Sequence, residues 1–119
     1  MVTLTLPLPP SVNELFAEVN GYDGKPRRVT TAGYKAWQTA AAWSIKAQRL
    51  PSLDAARFAV AVRVPVKMRG DVDNRLKPIL DALVSNRLTP DDRYAWRVSI
   101  ERDAAVPAGE AHITLEEVP

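Results

Sequence analysis

The residues able to do chemistry cluster in residues 68–93, MRGDVDNRLKPILDALVSNRLTPDDR. Asp71 and Asp73 stand two apart at the end of a Val-rich segment, and in extended backbone that spacing turns both carboxylates to one side. Such a pair repels unless a cation or a proton lies between its members, and oxygen donors of this kind suit Mg2+ or Mn2+. Asp73, Lys77 and Asp81 follow at i, i+4 and i+8, a polar stripe on a helix whose other face is Leu76, Ile79, Leu80 and Leu83. Asp91 and Asp92 add a third acidic position across a short loop. Three acids and a lysine fit metal-assisted phosphodiester cleavage. The metal activates water and neutralises charge on the transition state, and the ammonium steadies the same charge or the leaving oxygen. Plainer roles stay open for each residue. Asp73 can cap a helix, and Asp91 and Asp92 after Pro90 can form an ordinary turn. Lys77 with Asp73 or Asp81 can be a surface ion pair of about a few tenths of a kcal/mol.

Other chemistries are excluded by what the chain lacks. It has no Cys, so disulfides, thiolate zinc sites and thiol nucleophiles are out, and His112 alone can supply imidazole. A calcium loop starting at Asp71 needs Gly and Glu where Leu76 and Ala82 stand. The five glycines are scattered singly, so no phosphate-cradling loop exists and no nucleotide cofactor is expected. No apolar run approaches the ~20 residues of a membrane span, and the N-terminus has no secretory signal pattern, so a cytoplasmic protein is expected. Charge is uneven. Residues 1–86 carry 12 Lys and Arg against 7 Asp and Glu, whereas residues 87–119 carry 4 against 7. That lean suits an acidic partner such as nucleic acid, and equally an ordinary solvated surface.

One domain of 119 residues must hold these groups in place. Alternation predicts strands over residues 2–6, 57–66, 94–101 and 111–116, the second with Phe58, Val60, Val62, Val64 and Val66 on one face. A helix capped by Thr30 or Thr31 runs to about Leu50 with Tyr34, Trp37, Ala41 and Ile45 as its apolar stripe. The second runs over about residues 73–86, and Pro78 places its firm start nearer Lys77. The order β-α-β-α-β-β implies an α+β (mixed α/β) single domain, a four-stranded mixed sheet with two main helices. Residues 18–29 and 103–110 read as exposed loops, the first carrying Lys25, Arg27 and Arg28. Trp37 and Trp96 fall on core-facing positions, Trp43 and Tyr22 fit neither pattern, and His112 alternates outward.

Taken together, LPLPPSVN (residues 6–13), TTAGYKAW (30–37), DVDNRLK (71–77), DAL (81–83) and the Asp91–Asp92 pair resemble the RusA family of Holliday junction resolvases, in family order over nearly the whole chain. The resemblance implies a bacterial, largely prophage-borne, Mg2+-dependent homodimer (Mn2+ being an alternative metal) that cuts four-way DNA junctions in recombination and repair. It leaves 5′-phosphate and 3′-hydroxyl ends. It places metal-binding carboxylates at Asp71, Asp73 and Asp92, with Lys77 as the catalytic lysine and Asp91 as the lesser member of its pair. Candidate DNA contacts are Lys67, Arg69, Arg75, Lys25, Arg27 and Arg28, through phosphate pairing. Two departures stand out. The family's basic run before its acidic element is reduced here to Lys67 and Arg69, and Ala32 stands where an acid often occurs. The alternatives are a junction-binding protein without turnover and a nuclease for other branched DNA.

Overall fold

The computed structural model describes residues 1–53 and 56–119. Its strands and helices are β1 (Val2–Pro7), β2 (Phe16–Asn20), β3 (Pro26–Thr30), α1 (Ala32–Gln48), β4 (Phe58–Val64), α2 (Leu76–Ser85), β5 (Ala95–Arg102) and β6 (Glu110–Glu117). Four strands form one mixed sheet in the order β1-β6-β4-β5, in which β4 and β5 run parallel and the other neighbours antiparallel. The parallel pair requires a crossover, and α2 lies in it. This is the expected α+β architecture, with a two-stranded β2-β3 hairpin added.

Alternation puts one face of the sheet in the core. Val2, Leu4 and Leu6 of β1 lie opposite Leu115, Ile113 and Ala111 of β6, which continue into Val60 and Val62 of β4. All eight are buried. Tyr34, Trp37, Ala41 and Ile45 of α1 and Ile79, Ala82 and Leu83 of α2 complete the same cluster. Thr31 caps α1, its hydroxyl accepting from the Tyr34 N–H at 3.3 Å. Arg49 ends that helix in the left-handed region at φ 52°. A 3-10 turn over Val72–Arg75 precedes α2, so the helix starts at Leu76, near Lys77 as Pro78 requires. No helix among the described residues is long and apolar enough to cross a membrane.

Four expectations fail. Residues 18–29 are not a plain loop: Phe16–Asn20 and Pro26–Thr30 pair in register. Their side chains are almost all exposed, so no apolar alternation marks them. Phe16 anchors the hairpin's base, edge-on to Tyr34 at 6.0 Å. Trp96 is not core-facing but 63% exposed, because β5 is the sheet's last strand and its ladder with β4 slips between Phe58 and Ala59, beside that residue. Third, β4 ends at Val64 before Pro65, so Asp71 and Asp73 do not share the face of a strand. Asp71 instead precedes the 3-10 turn and Asp73 lies within it. His112, expected at the surface, is half-buried with its ring 3.5 Å from the Glu110 carboxylate.

Candidate active site

The segment leading into Asp71 is held by two arginines. Arg102, at the end of β5, donates from its guanidinium to the carbonyls of Val66, Met68 and Gly70 at 2.9, 2.6 and 2.8 Å. Gly70 takes φ +83°, a left-handed turn a side chain would strain, and delivers the chain into Asp71. Arg75 donates to the carbonyls of Pro9 and Arg69. Asp71 and Asp73 emerge from this braced segment exposed to solvent.

α2 supplies the next groups. Lys77 and Asp81 are one turn apart, with Nζ 3.4 Å from the carboxylate, both well exposed. Across the short loop, Asp91 spends its carboxylate on the backbone, accepting from the Arg93 N–H at 3.0 Å and capping the 3-10 turn Asp92–Tyr94. The plain turn role thus belongs to Asp91 and leaves the Asp92 carboxylate free of a protein hydrogen bond among the described residues. Asp81, Asp91 and Asp92 line one cleft of about 410 Å3 together with Phe16, Tyr34, Gln38 and Ser85. Partial loss of water around Asp92 pushes its carboxyl above the usual range, the charges of Asp81 and Asp91 push it further, and Lys77 opposes them. Tyr34 responds to the same field. Burial and then Asp81 raise its hydroxyl, while a hydrogen bond with Gln38 and the charge of Lys77 lower it.

Lys77, Asp81, Asp91 and Asp92 are therefore electrostatic neighbours. Asp71 and Asp73 are not among the residues lining that cleft and lie on their own segment, at the start of the 3-10 turn. All these donors are carboxylates, the right type for a hard divalent cation. Their arrangement is a different matter: among the described residues, no three acidic or imidazole groups are gathered closely enough to hold a metal ion. The described residues of one chain do not present a finished three-carboxylate cage.

The basic candidates divide in two. Lys25, Arg27 and Arg28 stand exposed on the hairpin, with the Arg28 guanidinium 3.8 Å over the Phe16 ring, and Lys67 and Arg69 are exposed before Asp71. Arg75 is half-buried and committed to two carbonyls, which makes it a brace. Three contributors were not legible as site residues. Arg102 looks like any strand-end arginine, Tyr34 belongs to the apolar stripe of α1, and Asp81 was visible as the end of a polar stripe and in the DAL step, without a role of its own. Trp43 is 65% exposed on α1, with Lys46 Nζ 5.3 Å from its ring.

Comparison with protein families finds a match over residues 7–116 to the family described as Endodeoxyribonuclease RusA. No curated protein matches the chain.

Proposed function

The chain belongs to the RusA family of endodeoxyribonucleases, hydrolases that break phosphodiester bonds in DNA, and from that premise we propose that it resolves four-way junctions by paired, symmetric nicks. The observation that carries this reading is that the matched span contains the whole acid and lysine set, DVDNRLK, Asp81 and Asp91–Asp92. Within it, Lys77 is positioned by Asp81 beside the cleft that Asp92 lines. An ammonium there meets the negative charge that develops on the oxygens of a phosphate under attack, and the exposed Lys25, Arg27, Arg28, Lys67 and Arg69 draw in the phosphate backbone. We propose Mg2+ as the cofactor, with Mn2+ able to substitute, and Asp71, Asp73 and Asp92 as the carboxylates it depends on. Because these stand apart in the isolated chain, tight cation binding is expected only with DNA present. A four-way junction has approximate two-fold symmetry and must be cut in two opposing strands, so the working unit is a homodimer. The setting is the cytoplasm, in recombination and repair.

The test incubates the protein with a synthetic mobile four-way junction and a matched linear duplex, with Mg2+ and with EDTA. Religatable, symmetric nicks confined to the junction and lost in EDTA are expected. Asp73→Asn should abolish them while sparing junction binding, and Lys77→Ala should slow them on the order of a hundredfold. Nicks in flaps or forks alone would replace the junction by another branched substrate. Normal turnover of Asp73→Asn would remove that residue from the machinery.

A further inference from the structure

The sheet has two outer strands, β1 and β5, and the chain treats them differently. β1 is covered by α1. The Gln48 side-chain amide accepts from the Thr5 N–H at 2.9 Å and donates to the Thr5 carbonyl at 2.7 Å, in the manner of a neighbouring strand. Ser44 donates to the same carbonyl and the Trp37 indole to that of Pro7. Among the described residues, β5 has no such cover: its backbone is laddered to β4 on one side, and no side chain bonds it on the other. Trp96 is 63% and Val98 39% exposed on it, and Arg97, Ser99 and Glu101 are exposed as well. A bare eight-residue edge with apolar side chains is a template for another strand.

We infer that the strand it takes is β5 of a second copy, paired antiparallel about a two-fold axis at Ser99. The sequence of the strand, AWRVSIER, is self-complementary in that register. Val98 lies opposite Ile100 of the second copy, Arg97 opposite Glu101 and Trp96 opposite Arg102. The symmetry makes each pairing twice. Directly opposed residues share a face, so apolar meets apolar and Arg97, which also reaches Glu116 of its own chain at 3.7 Å, meets the Glu101 carboxylate. Neighbouring registers lack this match. A shift of one residue sets Trp96 against Glu101 and Arg97 against Ile100, and an axis at Val98 leaves Glu101 opposite Ala95 and Arg97 opposite Ser99. The chosen register also extends the core. Val98 and Ile100 lie beside Val60 and Val62 on the face that carries the cluster, so the second copy covers the apolar surface the helices leave open. Two four-stranded sheets become one of eight strands.

This inference rests on the proposed homodimer and specifies its interface. The experiment measures the dimer dissociation constant of the full chain by sedimentation, for the wild type, Arg97→Glu, Glu101→Arg and the two combined. Each single change sets like charges opposite each other twice and should raise the constant about tenfold or more. The combined variant exchanges the partners and should restore it to within about threefold of wild type. Val98→Lys, which puts the charge typical of a blocked edge into the seam, should raise it as well. Hydrogen exchange on the wild type gives a second readout independent of any variant: dilution should speed exchange of β5 amides and leave β1 unchanged. A dimer insensitive to the single substitutions, or one the combined variant fails to restore, overturns the β5 interface and leaves the homodimer standing. A wild type that stays monomeric overturns both. Junction cleavage is assayed on the same samples, and its absence from a β5-paired dimer would strike the nuclease reading alone.

Discussion

β1 and β5 bound the same sheet, yet one is sealed from within the chain and the other is left for something outside it. The seal on β1 uses three side chains of one helix face, spaced so that an amide, a hydroxyl and an indole each reach an edge backbone group. Among the described residues nothing comparable bonds the open side of β5, along which apolar and polar residues alternate instead. An unpaired edge invites aggregation unless it is covered or given one partner, and the two edges use one remedy each. Covering belongs to the stability of the single chain, whereas pairing belongs to the symmetry a two-strand cut demands.

The comparison breaks most visibly at its two tryptophans. Trp37 is buried beneath the β1 edge and bonded to Pro7, so Trp37→Ala should cost about 3–5 kcal/mol in urea unfolding. Trp96→Ala on the open edge should change monomer stability by no more than about 0.5 kcal/mol while weakening self-association. Equal costs at both sites would mean that the β5 edge is covered after all. A smaller effect is expected at Gln48. Gln48→Ala frees the Thr5 amide and leaves its carbonyl to Ser44, and should cost about 1 kcal/mol and make the chain more prone to concentration-dependent association, read by light scattering. An unchanged light-scattering profile would show that the helix itself, without the amide, is enough of a guard.

The smallest effect lies just past β5, where Asp103 accepts from the Ala105 N–H at 2.8 Å and pairs with Arg63 at 3.2 Å. The backbone bond first, and then Arg63, hold its carboxyl below the usual range. A depressed carboxyl stabilises the fold above its unfolded value of about 4, and the contribution is lost as pH falls through the folded value. Asp103→Asn should therefore be slightly less stable than wild type at neutral pH, with the gap closing in acid. A gap that persists in acid would assign the difference to packing.

Where a segment faces the core, its neighbours were legible in the order of its residues. The stripe Tyr34, Trp37, Ala41 and Ile45 reads as one face of a helix and is buried as one, and Phe58, Val60, Val62 and Val64 do the same at strand spacing. The β2-β3 hairpin escaped because beyond Phe16 at its base its faces meet water, so it is held mainly by its backbone ladder and no side-chain pattern reports it. Trp96 misled for the opposite reason: its alternation is genuine, but alternation tells which side of a strand a residue occupies and not whether anything covers that side. In the site, the acids and the lysine were legible by type and spacing. The even stripe Asp73, Lys77, Asp81 was interrupted because a 3-10 turn precedes the helix, and a tighter winding rotates Asp73 away from the other two.

The order of residues by itself determined which stretches form the four-stranded sheet and the two main helices, which face of each helix turns inward, and which carboxylates and lysine are available, since all of these depend on neighbours within a turn or two of chain. Tertiary structure alone decided that β5 ends the sheet and β1 is sealed, that Asp92 answers to Asp81 and Lys77, and that Arg102 holds the approach to Asp71. Those are contacts between residues far apart in the chain. Local periodicity carries no information about which distant segment completes an edge, a field or a brace.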